Sequence, residues 1–303
     1  MSTPVSEVMV RGQAVRQPRG FRGSQLAVVW RTFKRDRVAV TSAVIIIIAT
    51  LAAVGAPWIA PYSAYEGDGA LRLNPIGTPG HLLGLDGQGR DILSRLIWGG
   101  RVSIASGVLP VAVAALISLV LGVTAGFYQG IIGGVIMRVM DVFIAFPIVL
   151  LAAAIAGVMG PGMLNVMLSM VIVIVPYVTR TVYSATVEIR RLEFVEAAYA
   201  AGARNVNILF GQILPNVLSP LLVYSTTIIG VMITLAAGLS FLGLGVQPPE
   251  PDWGIMTSDG RVVLDIAPHV ATIPGLAIVI ITLAFNLLGD GLRDALDPHL
   301  RVR

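Results

Sequence analysis

The sequence predicts an all-α polytopic membrane protein with six transmembrane helices. Of its 303 residues, 55% are hydrophobic and only 13% are charged, about half the charged share of an ordinary soluble domain. Apolar runs of about 20 residues, long enough to cross a bilayer, recur along the chain. The basic residues gather beside those runs, as the positive-inside rule expects. The net charge of +4 therefore reads as a topology signal, and no nucleic-acid partner is expected. The chain has no cysteine, so it has no disulfide framework, thiolate nucleophile or cysteine-based metal site.

Residues 1–37 form a basic tail with Arg11, Arg16, Arg19, Arg22, Arg31, Lys34, Arg35 and Arg37. It is expected to be cytoplasmic, flexible and in contact with anionic membrane lipids. The first span, 38–60, centres on AVIIIIATLAAV. A cleaved signal peptide would have a far shorter basic region, so the span is expected to stay. Residues 61–101 form an extracytoplasmic segment. In it Gly84, Asp86, Gly87 and Gly89 make a turn, and a short interfacial helix follows. Asp91 lies in the first turn of that helix and can pair with Arg95 four residues on, while Trp98 suits the interface. This helix is either the outer mouth of a pathway or a connector into the second span.

A five-helix core, 102–292, holds the remaining spans: Val102–Tyr128, Val135–Met159, Met163–Tyr183, Leu218–Val246 and Val270–Leu292. Between them lie a cytoplasmic loop, 184–217, and an extracytoplasmic loop, 247–269. A cytoplasmic tail, 293–303, ends the chain. This arrangement puts about 16 basic residues inside and 5 outside, with both termini cytoplasmic. In the outer loop QPPEPDWG is extended by its prolines. Glu250, Asp252, Asp259 and Asp265 face outward, with Trp253 at the interface. That face is a solvated loop or a docking surface for an extracytoplasmic partner.

Catalytic signatures are missing. The sole lysine, Lys34, lies in no phosphate-binding loop, and neither GxSxG nor HExxH occurs. His81, His269 and His299 are far apart in sequence and read as unpaired surface residues. No cofactor or metal is expected in this chain, and no enzyme activity. An ion-coupled secondary transporter would need carboxylates near mid-membrane, and the spans carry almost none. Arg138 and Asp141, three apart, can pair on one helix face. Gly122 and Gly126 have the spacing that lets helices pack closely. Pro147, Pro176 and Pro220 can kink their spans.

The loop 184–217 is polar, with two short helices around a glycine. Leu192, Val195 and Tyr199 share one side of the first, and Ala197, Ala198, Ala200 and Ala201 leave another side bare. Gly202 can end that helix in the left-handed conformation. Asn205 can cap the next, and Pro215 stops it and opens the fifth span. Glu196-Ala197-Ala198, three residues, Gly202, nine residues, Gln212 and, two further on, Leu214-Pro215 resemble the EAA loop of bacterial ABC-importer permeases. The one departure is Gln212, where that pattern usually has isoleucine. LGLDGQGRDILSRLIWGGRVS and LSFLGLGVQPPEPDWGIMTSDGR are similar to the dipeptide/oligopeptide permease family, C-type subunit.

The resemblance implies a type I importer permease fold and a role as half of a peptide translocation pathway, with glutathione, nickel chelates or haem as alternative cargoes. It implies a heterodimer with a B-type permease, two ATPase subunits that bind ATP and Mg, and an extracytoplasmic binding protein. The ATPase-coupling residues would be Glu196, Ala197, Ala198, Gly202, Ala203, Arg204, Asn205, Leu214 and Pro215. Asp141, Phe146, Pro147, Pro176 and Ser240 would line or gate the pathway. Glu250, Asp252, Trp253 and Asp259 would meet the binding protein.

Overall fold

The computed structural model describes residues 30–296; the first 29 residues and 297–303, including His299, lie outside the described residues. Those described are helical apart from connecting segments, with two isolated β-bridges, Thr78 to His81 and Leu85 to Asp91. Among the described residues five helices are long and apolar enough to span a membrane, and a bent pair of helices adds a sixth span if the two cross it together. The chain is thus a multi-pass all-α membrane protein.

Helix α1 (Arg37–Val54) starts at Asp36, whose carboxylate accepts from the backbone N–H of Val38 and Ala39. A short α2 (Ala56–Ile59) follows Gly55. Helix α3 (Ile92–Tyr128) has 37 residues, or about 55 Å at 1.5 Å per residue. The short interfacial helix and the second span are therefore one continuous helix. Gly99 and Gly100 look like a boundary in the sequence, but they lie under an indole. A Cβ at Gly100 would be 3.1 Å from Trp253 Cζ2, and one at Gly99 3.3 Å from Trp253 Cδ1.

The third span is not straight. Helices α4 (Gly130–Ile144) and α5 (Ile148–Met159) meet at a bend of 86°. Pro147 causes it: proline lacks the N–H that would continue α4, and it pushes the preceding residue out of the helical region. Helix α6 (Met163–Arg190) leads into α7 (Glu193–Ala200) and α8 (Asn205–Ile208). A π-helical turn, Leu209–Ile213, joins α8 to α9 (Leu214–Phe241). Helices α10 (Trp253–Arg261) and α11 (His269–Leu296) complete the described chain.

Close backbone contacts at glycines set the packing. Gly122 and Gly126 of α3 press on α6, where an added Cβ would sit 2.6 Å from Val182 and from Thr186. Gly107 of α3 meets Ile233 of α9, Gly230 of α9 meets Asn286 of α11, and Gly291 of α11 meets Ala39 of α1. Two apolar cores result. One centres on Val123, Met170, Ile174, Val182 and Ile213, the other on Ile92, Ile233, Trp253, Ile281 and Phe285. Trp253 lies against the start of α3, whereas Gly126 near its end lies against the end of α6, from which α7 follows. The bundle thus has an α10 end and an α7 end.

Candidate coupling loop and pathway elements

At the α7 end, the polar loop is a rigid knob on buried anchors. Val195, Ile208 and Ile213 are buried in the first core, with Ala198, Ala203, Leu209 and Leu214 packed around them. Gly202 has φ +77°. Its N–H donates to Tyr199 O (2.9 Å), and Ala203 N–H donates to Ala198 O (3.0 Å). This pair of bonds is a Schellman closure, which needs the left-handed residue that glycine supplies most cheaply. Glu196, Ala197, Ala200, Ala201, Arg204 and Asn205 remain exposed.

Two local expectations are corrected here. Asn205 is the first residue of α8, and the capping position belongs to Arg204, whose side chain makes no cap bond. Pro215 does not stop a helix, because the helical run continues from Asn205 to Phe241. Its ring crowds the carbonyl four residues back, at Gly211. The π turn relieves this by widening the helix just before the proline, and Leu214 N–H bonds to Leu209 O.

At the α10 end, two of the four expected docking residues are internal. Asp252 is 3% exposed and Trp253 4%. Asp252 caps α10 and accepts from Ser103 Oγ at 2.5 Å. Trp253 N–H donates to the same hydroxyl (3.0 Å), and its indole Nε1 donates to Leu96 O (2.9 Å). Burial raises the Asp252 carboxyl above the usual range, partly offset by its hydroxyl and backbone donors. These two residues fasten α10 to α3 and present no outward surface. Glu250 is exposed; Asp259 is half exposed and lies 3.9 Å from Arg90. Burial raises the Asp259 carboxyl too, against the pull of Arg90 and Arg95. Ser240 is buried beside Asp252 and joins this clasp rather than an open surface.

The segment before α3 departs from the expected pairing. Asp91 caps α3 instead of lying in its first turn, taking Ser94 N–H and Oγ at 2.7 Å and His81 Nδ1 at 3.0 Å. Arg95 turns away from Asp91, donates to Ala64 O at 2.8 Å and lies 3.5 Å from Asp86. His81 is thus not an unpaired surface residue: besides Asp91 it has Tyr62 at 4.5 Å between ring centroids. His269 opens α11, with Nε2 buried and without a hydrogen bond.

Asp141 does not pair with Arg138. Its partner is Arg180 on α6, and both side chains are about half exposed, at 44% and 51%. One turn further on, the bend leaves Ala145, Phe146 and Pro147 exposed. Pro176 is buried instead, and near it Ser118 Oγ of α3 donates to Val175 O at 3.0 Å. Asp141, Phe146 and Pro147 are thus half exposed or exposed beside the bend, whereas Pro176 and Ser240 are buried. Arg180 escaped the sequence reading because it lies on another span, although an arginine at the end of an apolar run is a visible signal. Ser103, 149 residues from Asp252, gives no such signal.

Residues 118–302 match the family described as binding-protein-dependent transport system inner membrane component, and residues 24–75 match the N-terminal transmembrane domain of oligopeptide transport permease C. The chain belongs to the dipeptide/oligopeptide ABC-importer permease family, as a C-type subunit. It is 44% identical over 294 residues to the glutathione transport system permease protein GsiD of Pectobacterium atrosepticum, covering 97% of this chain and 95% of that relative. The GsiD proteins of Escherichia coli O157:H7 and Shigella sonnei are each 45% identical over 272 residues, covering 90% of both chains. As a permease of this family the chain is a non-catalytic transport subunit of an ABC importer.

Proposed function

We propose that this permease forms half of an import pathway for a small anionic peptide, glutathione first among them, and that Glu196–Pro215 transmits ATPase closure to the helices. The observation that carries the cargo reading is the identity of 44–45% over at least 90% of the chain with permeases named for glutathione transport. It moves glutathione ahead of the generic dipeptides and oligopeptides that the sequence motifs put first. The partners are a B-type permease, two ATPase subunits holding ATP and Mg, and an extracytoplasmic binding protein. The exposed alanine face on a rigid, core-anchored knob supports the coupling role, since bare faces allow close approach. Of the pathway residues, Asp141, Phe146 and Pro147 have the exposure that the role needs.

The test is uptake of radiolabelled glutathione by the complete importer in proteoliposomes. ATP-dependent uptake that unlabelled glutathione suppresses and a dialanine excess does not is the expected result. Uptake of dialanine with no glutathione transport would return the cargo to ordinary dipeptides, and ATP-independent uptake driven by an ion gradient would overturn the importer coupling.

A further inference from the structure

Asp141 and Arg180 lie in apolar helices yet are half exposed on the surface of this chain. Charged groups in a span face a protein interior or a water-filled cavity, not lipid. The bend at Ala145–Pro147 begins one turn after Asp141, and Ala145 N–H still donates to Asp141 O at 3.1 Å. Non-helical backbone at membrane depth survives only where protein buries it or water lines it. Helix α4 has 15 residues, so the bend is about 20 Å from its start. Two independent features thus mark a stretch of α4 and α6 that faces away from lipid, and on the pathway reading water lines it. Arg138 stands one turn before Asp141, is exposed, and has no carboxylate within ion-pair distance among the described residues. The surface therefore holds two guanidinium groups against one carboxylate.

We infer that Arg138 and Arg180 form a carboxylate-exchange point for the passing peptide, which rests on the pathway reading above. Asp141 occupies Arg180 while the pathway is empty. An incoming peptide carboxylate takes the place of Asp141 on Arg180 or pairs with the unoccupied Arg138, so Arg180 keeps a charge-assisted partner throughout. An ion pair that water reaches is weak, and a pathway needs sites weak enough to release. The excess positive charge disfavours cationic peptides.

The absence of cysteine from this chain allows a test that does not depend on the cargo. Phe146→Cys is introduced in the complete importer in proteoliposomes, and labelling of this chain is read on a gel. The rates for an anionic sulfonatoethyl and a cationic trimethylammonioethyl methanethiosulfonate are each divided by the rate with free thiol. The anionic reagent should be favoured roughly fivefold. Arg138→Gln should bring that ratio most of the way to one, and Arg138→Lys should keep it. Arg138 has no carboxylate partner to lose, so its replacement leaves the α4–α6 ion pair in place.

No labelling at position 146 by either reagent, or a ratio unmoved by Arg138→Gln, overturns the inference. A second arm compares uptake of radiolabelled glutathione with that of its bis-amide. Arg138→Gln should lower the preference for glutathione several-fold while Arg138→Lys preserves it; an unchanged preference also overturns the inference. If the wild-type importer carries no glutathione but the reagent ratio follows Arg138, the cargo reading fails and the exchange point stands. If glutathione enters and the ratio is flat, the reverse holds.

Discussion

Gly202 is held at φ +77°, and a Cβ added there would meet nothing within 4 Å. Any substitution therefore costs backbone strain alone, about 1–2 kcal/mol for alanine and more for a β-branched residue. The knob can escape that strain only by reorienting, since Val195 and Ile208 fix both sides of the turn in the core. Gly202→Val should insert normally but co-purify with less ATPase and lose uptake, with Gly202→Ala intermediate. Glu196→Ala should be milder, because it removes one exposed charge and no structure. A Gly202→Val importer with full ATPase content and wild-type uptake would remove this loop from the coupling path.

Asp252 makes the opposite kind of case, a charge placed where charge is unfavourable. Its folded-state carboxyl titrates above the normal range because burial penalises the ionised form. In the window between the ordinary value, about 4, and the raised one, the folded chain holds a proton that the unfolded chain has lost. Stability therefore falls as pH rises through that window. Asp252→Asn should flatten the dependence while its side-chain oxygen keeps the Ser103 bond. Hydrogen exchange of the Trp253–Arg261 amides across pH measures this directly. An equally steep pH profile in Asp252→Asn would assign the dependence to another group.

Among the elements, those with local causes were legible in the sequence. The apolar length of each span, the break at Pro147, the glycine turn at 202 and the close packing at Gly122 and Gly126 each follow from a property of the residues themselves. What was illegible depends on a distant partner. Nothing in HLLGLDGQGRDILSRL tells Asp91 to choose His81 over Arg95, and nothing in QPPEPDWG shows that Trp253 covers Gly99 and Gly100. The same distance hid the continuity of α3, whose glycines are kept helical by that indole. Trp253→Ala should accordingly cost about 3–5 kcal/mol and loosen α10 and the start of α3 together. Exchange protection should fall at both, with little change in α7. Loss confined to α10 would mean that α3 holds its outer turns unaided.

At the scale of the whole molecule, the orientation expected from the sequence rests on where the basic residues gather. At the α10 end Arg90 and Arg95 are buried around Asp86, Arg261 stacks on Phe241 and Arg101 on Trp98. The basic residues at the α7 end include Arg31, Lys34, Arg35, Arg37, Arg191, Arg204 and Arg293, and none of them has a carboxylate within ion-pair distance among the described residues. The positive-inside rule counts arginines and lysines rather than net charge, so the expected split of 16 against 5 predicts a cytoplasmic α7 end. Ser63 and Asn207 report on the two ends, since both are exposed. With an impermeant maleimide outside intact cells, Ser63→Cys should react and Asn207→Cys should not. Permeabilised cells should label Asn207→Cys only slowly while the ATPase subunits cover the knob, and quickly once urea has stripped them from the membrane. Reaction of Asn207→Cys in intact cells would invert the topology. Fast labelling before stripping would leave the orientation standing and place the ATPase contact elsewhere on the α7 end.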